Sequence, residues 1–290
     1  MGEQQKQSNP IARLAEVLMS RRALLGGSLA ALGLADLADD QEAAAGKRGN
    51  RRRRRRRRNG GPGLGTGNCP GSVCQSLNDG PFCKWTSIQA ALDAIGNQEP
   101  PPDEIVVCPG VYKERITLGP LMPVGTFTLQ ASSSDPSDTT IDAEGEGTTV
   151  TVSRGAPIST IDSFTITGGK AAFGGGVVNR EFLTIRNSVV TENDTGAADD
   201  SGGGGIYNDG GELTLNLTTV SDNHALDGQG GGILIAAGKV LLQGNTQVTQ
   251  NMADQGGGLF NQGGTVTIDD DSGVTNNEPD NCVGTTACGA

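Results

Sequence analysis

Apolar and polar residues alternate over short runs in the last two-thirds of this chain, and the runs recur at nearly constant spacing. Gly174-Gly-Gly-Val-Val-Asn179, Gly203-Gly-Gly-Ile-Tyr-Asn208, Gly230-Gly-Gly-Ile-Leu-Ile235 and Gly256-Gly-Gly-Leu-Phe-Asn261 begin 29, 27 and 26 residues apart. After each comes an alternating stretch: Leu183 and Ile185; Leu213, Leu215 and Leu217; Val240 and Leu242; Val266 and Ile268. Each unit closes on Val-x-x-Asn, at Val190 to Asn193, Val220 to Asn223, Val248 to Asn251 and Val274 to Asn277. Alternation with a period of two reads as strand. A fixed longer period reads as one unit stacked on copies of itself.

No helical period runs through these repeats, and a βαβ unit with its crossover helix does not fit their turn-rich spacers of Gly, Asn, Asp and Thr. Three short strands joined by such turns close a coil of this length. Stacked coils pair each strand in parallel with its counterpart about 4.8 Å away. The expectation is an all-β parallel β-helix, a solenoid. Leu213, Leu215 and Leu217 would then stack on Leu183 and Ile185, and the glycines would form corners. The recurring Asn193, Asn223, Asn251 and Asn277 would bond one another's amides along the axis.

Upstream, short β-branched runs continue the pattern at Glu104 to Cys108, Tyr112 to Leu118, Thr126 to Gln130, Thr139 to Ile141, Thr148 to Val152 and Ser163 to Thr167. Before them Ile88, Ala91, Leu92 and Ile95 share one helical face. Thr86-Ser87-Ile88-Gln89 reads as a capping box and Gly96 as a C-terminal stop, which predicts a short helix from Ser87 to Ile95. That helix would cover one open end of the solenoid, and the tail Asp280 to Ala290 the other.

Composition agrees with a solenoid: 46 glycines and only 3% aromatics exclude a conventional aromatic-rich core. Charge divides the chain. Residues 47–58 hold ten of the 22 basic residues; from Asn59 onward eight Lys/Arg face 27 Asp/Glu, a net of −19. So acidic a body has no specific nucleic-acid partner. The run Arg51 to Arg58 would bind anionic cell-envelope polymers or polysaccharide, each basic residue contributing up to about 1 kcal/mol at an anionic surface, or else act as a solubilising spacer.

The N-terminus reads as targeting sequence. Ser20-Arg21-Arg22-Ala23-Leu24-Leu25 is similar to a twin-arginine export motif, a short apolar stretch follows, and Ala43-Ala44-Ala45 offers a cleavage site. The expected division is residues 1–45 export signal, 46–67 polybasic Gly/Pro linker, 68–84 cysteine-containing lead-in, 85–282 β-helix and 283–290 tail. No other stretch is apolar enough to span a bilayer, so the mature chain is expected outside the cell or on its surface. Cys69, Cys74, Cys83, Cys108, Cys282 and Cys288 make an even count, which reads as three disulfides, Cys282 with Cys288 and the other four among themselves. Zinc is the alternative, but Cys69-x4-Cys74 lacks the paired spacing and nearby His of zinc modules.

Trp85-Thr-Ser-Ile-Gln-Ala-Ala-Leu-Asp93, Ile105-Val-Val-Cys-Pro-Gly-Val-Tyr-Lys-Glu114 and the Gly-Gly-Gly-Ile-Tyr-Asn units resemble the right-handed parallel β-helix proteins of the pectin-lyase-like superfamily, over roughly residues 85–282. The resemblance implies a right-handed coil and, for an enzyme, a polysaccharide lyase or pectinesterase. Such enzymes use clustered Asp with a Gly-His-Gly segment, paired Asp with Gln and Arg, or an Arg base with Asp-bound calcium. Here the single His224 sits in Asn223-His224-Ala225, expected as a turn, and Arg180 and Arg186 have no motif around them. Asp199-Asp200 and Asp269-Asp270-Asp271 have donor chemistry that suits calcium, yet lie among turn residues and read as solvated loop acids. No catalytic, metal or cofactor residue is assigned. The reading is an exported β-helix that adheres to polymers, with a polysaccharide-active enzyme as the alternative.

Overall fold

The computed structural model describes residues 69–288 except 78, 80, 96, 97, 99, 123, 124 and 197–200. The export segment, the polybasic linker with Arg51 to Arg58, Gly96 and Asp199-Asp200 lie outside the described residues.

The chain coils through three rows of parallel strands. The first row is β1 (Glu104–Val107), β4 (Thr126–Ala131), β7 (Ile158–Asp162), β10 (Phe182–Arg186), the second halves of β12 (Ile206–Asn216) and β15 (Ile233–Gln243), and β19 (Thr265–Ile268). The second is the seven-stranded sheet of β2 (Gly110–Lys113), β5 (Thr139–Asp142), β8 (Thr165–Thr167), β11 (Val189–Thr191), β13 (Thr219–Ser221), β16 (Gln247–Thr249) and β20 (Gly273–Thr275). The third is β3 (Ile116–Leu118), β6 (Val150–Val152), β9 (Val177–Asn179), the first halves of β12 and β15, β18 (Leu259–Asn261) and β21 (Cys282–Val283). Two further strands, β14 (His224–Gln229) and β17 (Met252–Gln255), pair between the second and third rows. The parallel β-helix expected from the repeats is the observed fold.

Alternation sends every second residue inward, and the register stacks like on like. Ile105, Leu129, Ile161, Ile185, Leu215, Leu242 and Ile268 form one aliphatic column. Ile141, Ile166, Val190, Val220, Val248 and Val274 form a second. Burying each such side chain contributes about 1.5–3 kcal/mol, so a narrow, mainly aliphatic core suffices when it repeats, with Tyr112, Phe127 and Phe164 filling it in the early coils.

Several boundaries differ from the sequence reading. The run Tyr112 to Leu118 breaks into β2 and β3, because Glu114 leaves the sheet to bind the helix. Ile158 to Asp162 is a strand that the sequence reading passed over. The triplet strand and the following alternating strand are continuous in β12 and β15, bent at Gly210 (φ +87°) and Gly238 (φ +85°). Leu217 is not in the core: it is 55% exposed, with φ +51°. It occupies the left-handed turn position taken by Ser163 and Asn187 in the neighbouring coils, which ends the alternation after Leu215.

Within each triplet only the first glycine has positive φ: Gly174, Gly203, Gly230 and Gly256. The second and third are glycine for another reason. A Cβ on Gly205 would stand 2.7 Å from the carbonyl oxygen of Gly232 in the next coil, so the side chain is excluded by the stacking distance itself.

The asparagine ladder forms. Asn193, Asn223 and Asn251 each donate from Nδ2 to Oδ1 of the next member at 2.9, 2.9 and 3.0 Å, and Asn277 donates to Asn281 at 3.2 Å. Backbone N–H groups of the same residues donate to the same oxygens. A shorter internal ladder joins Asn179 to Asn208 at 2.8 Å and stops at Ile235, where the Asn208 amide turns to the Ala237 carbonyl.

Helix α1 (Ile88–Ile95) covers the first coil with Ile88, Ala91, Leu92 and Ile95 buried. Its capping differs from the expected box. Ser87 Oγ accepts from Ala90 N–H, and the Glu114 carboxylate accepts from the N–H groups of Ile88 and Gln89. Gln89 instead receives the N–H of Thr117. At the far end Cys282–Cys288 is a disulfide, and Val266, Ile268 and both cysteines pack half-buried against the core. The other pairs are Cys69–Cys108 and Cys74–Cys83. Three of these sulfurs, of Cys74, Cys83 and Cys108, lie within 4.8 Å of one another, but all are bonded as disulfides. No described helix is long and apolar enough to cross a membrane.

Candidate functional site

Charged side chains on the outer surface are first of all bridges between coils. Arg186 Nε bonds Asp162 Oδ2 at 2.8 Å, and Asp162 also accepts from Asn187 and Ser163. Arg180 Nε bonds Asp209 at 2.8 Å, and Lys239 meets Glu212 and Lys113 meets Glu144 across adjacent strands. Each of the five ion pairs among the described residues joins one cation to one carboxylate. Apart from Arg186–Asp162, whose carboxylate is buried, these pairs are exposed and contribute about 0–1 kcal/mol each. Both arginines considered as a lyase base are therefore engaged with single carboxylates.

Asp269 is a turn anchor. The Ser272 hydroxyl and the N–H of Gly244 bond its carboxylate and hold its pKa below the usual range. Asp270 and Asp271 are exposed. His224 is exposed and begins strand β14 instead of lying in a turn, because Asn223 ends the corner one residue earlier. It faces a shallow depression of about 440 Å³ shared with Asp222, Met252 and Glu278.

The outward faces of the three rows differ in chemistry. On the first, Thr128, Thr160, Thr184, Thr214 and Thr267 form a column interrupted by Leu241. Charges flank it on both sides, Glu212 and Lys239 on one, Asp162 and Arg186 on the other. The third row presents Val178, Tyr207, Leu234 and Phe260, a largely covered apolar column on which Phe173 rests with its ring 5.0 Å from that of Tyr207. Burial, and then the nearby Asp209 carboxylate, raise the Tyr207 pKa against the opposing Arg180 charge.

The second row is different. Strands β8, β11, β13, β16 and β20 direct outward Thr165 and Thr167, Val189 and Thr191, Thr219 and Ser221, Gln247 and Thr249, Gly273 and Thr275. None of the ten is charged, and seven are Thr or Ser; the same outward column becomes charged only on the first two strands of the row, at Asp142 of β5 and Lys113 of β2. Thr191, Ser221, Thr249 and Thr275 are in register, and Thr167 holds the same place in β8. No protein group bonds their hydroxyls among the described residues, whereas Thr165 Oγ1 is bound to the Pro136 carbonyl at 2.9 Å. The result is a flat column of hydroxyls and methyls repeating about every 4.8 Å, with Glu192 and Asp222 at its rim. Sequence reasoning overlooked it although the signal was present: the unit written Val-x-x-Asn is Val-Thr/Ser-x-Asn in all four repeats.

No protein-family model matches the chain. No curated protein matches it either. Among solved structures, that of rice weevil pectin methyl esterase is 15% identical, with a TM-score of 0.39 over 72% of this chain and 67% of that one.

Proposed function

We propose that the chain is an exported, non-catalytic β-helix that binds polysaccharide at the cell surface. The observation that carries this reading is the uncharged hydroxyl face that β8, β11, β13, β16 and β20 form in the second row. Unpaired, regularly spaced donors and acceptors on a rigid sheet suit a polymer that repeats in the same way, and little conformational entropy is lost when such a face binds. Three disulfides fit an oxidising compartment. The Arg51 to Arg58 run adds an electrostatic contact to anionic envelope polymers, and its deletion is expected to reduce retention by the cell envelope.

The test is the purified chain on a panel of pectin, alginate, glycosaminoglycan, cellulose and chitin, scored for both retention and product release. Retention without turnover is expected. Turnover lost in Arg180→Ala or Asp269→Ala would establish the enzyme reading in its place.

A further inference from the structure

The hydroxyl face also limits what kind of polysaccharide it can meet, granted the binding role just proposed. We infer that its ligand is the ordered surface of a crystalline, uncharged, N-acetylated β-glycan of the chitin type.

Spacing is the first argument. Coils stand about 4.8 Å apart because backbone N–H···O=C bonds join their strands. In a crystalline acetamido glycan, neighbouring chains are stacked by the same N–H···O=C bond, which imposes nearly the same interval. Thr167, Thr191, Ser221, Thr249 and Thr275 then meet equivalent points on successive glycan chains across four intervals, roughly 19 Å. A single soluble chain presents no such array.

Chemistry and charge agree with this ligand. Each Thr offers a hydroxyl that donates and accepts beside a methyl group, matching the hydroxyl and acetyl groups of the glycan. Ser221 is only 9% exposed and its hydroxyl has no partner among the described residues, so it sits at the floor of the column where a ligand on that face could bond it. The chain from Asn59 onward carries a net charge of −19, counted as eight Lys/Arg against 27 Asp/Glu, yet the ten outward positions on β8, β11, β13, β16 and β20 carry none. Asp142 and Lys113 lie beyond them on β5 and β2. Carboxylated polymers are repelled by such a body, and a neutral solid is not. The threonine column of the first row lacks this match, since Leu241 interrupts it and ion pairs border it on both sides.

Co-sedimentation of the full chain with α-chitin powder, crystalline cellulose and soluble polygalacturonate tests the inference. The wild type is expected to partition onto chitin most strongly. Thr191→Glu with Thr249→Glu places two charges on the face and should weaken that partition about tenfold or more. The pair Thr184→Glu with Thr214→Glu, on the first row, should change it by less than about twofold. Thr191→Val with Thr249→Val keeps shape and fold while removing two hydroxyls, and a several-fold loss there supports the inference even if the charged pair unfolds. Equal losses from the two Glu pairs, or an unchanged Val pair, overturn it. Retention on cellulose or polygalacturonate but not on chitin overturns the inference and leaves the binding role standing. Retention on none overturns both.

Discussion

The asparagine ladder makes a sharp prediction at Asn223, which is fully buried. Its Oδ1 accepts from the N–H and the amide of Asn193, at 3.1 and 2.9 Å. Its Nδ2 lies 2.9 Å from each of three oxygens: the Val190 and Ser221 carbonyls and Asn251 Oδ1. Asn223→Asp keeps the shape and the accepting oxygen and replaces the donor with a second oxygen facing three others. Two donated bonds are lost at about 1 kcal/mol each, and an oxygen pointed at unsatisfied carbonyls adds about 1–3 kcal/mol. The expected destabilisation at neutral pH is therefore about 3–5 kcal/mol. Burial and the surrounding oxygens raise the folded-state pKa of the new carboxyl above its unfolded value. The folded state then binds more protons, so the lost stability returns as pH falls through that raised pKa. The recovery amounts to about 1.4 kcal/mol for each pH unit that separates the folded and unfolded pKa values. Guanidinium unfolding of variant and wild type at neutral and mildly acidic pH, followed by circular dichroism, isolates the effect. A cost under about 1 kcal/mol, or a difference that ignores pH, would refute the claim that these amides hold the coils together.

Three further substitutions probe other parts of the design. Leu217→Asn relieves a left-handed leucine and should stabilise by about 0.5–1 kcal/mol, seen as a rise in melting temperature of about 2–4 °C. Gly205→Ala forces a methyl against the Gly232 carbonyl and should cost about 2–3 kcal/mol in the same melts, whereas Gly210→Ala, with open space around its Cβ, should cost about 1 kcal/mol. Arg186→Ala strands the Asp162 carboxylate, only 6% exposed, and should cost about 2 kcal/mol by denaturant unfolding. Removing the exposed Lys239 should cost about 0.5 kcal/mol or less.

The coil was legible because its three requirements leave separate marks. Alternation marks the inward column, Gly-Gly-Gly marks where backbones touch, and asparagine marks the corner. What escaped reading was local geometry. Leu217 continues the alternation of Leu213 and Leu215 perfectly, and only the turn that the neighbouring coils make at Ser163 and Asn187 shows that it points away. Ile158 to Asp162 lacks the glycine punctuation of the later repeats, so its strand rests on pairing with β4 and β10. Glu114 caps a helix more than twenty residues earlier, which no local box could reveal. The hydroxyl face was hidden for a different reason. Threonine on an outward strand position is ordinary β-propensity, and its meaning depends on five neighbouring strands of one row carrying no outward charge.

The ladder has a direction: from Asn223 onward the side-chain oxygen of each asparagine receives from the asparagine of the coil before it, and Asn281 takes the last such bond. Each junction between the coils of Asn193, Asn223, Asn251 and Asn277 therefore offers the same donors on one side and the same acceptors on the other. Excising Gly203 to Gln229 whole would place Asn193 against Asn251 and Val190 against Val248, with hydroxyl still over hydroxyl on the outer face. Evolution can thus lengthen or shorten this molecule in steps of one coil while keeping the ladder and the inward column in register, at the loss of outer bridges such as Arg180 to Asp209. The reach of its binding face, rather than the identity of any residue, becomes the quantity that such steps adjust.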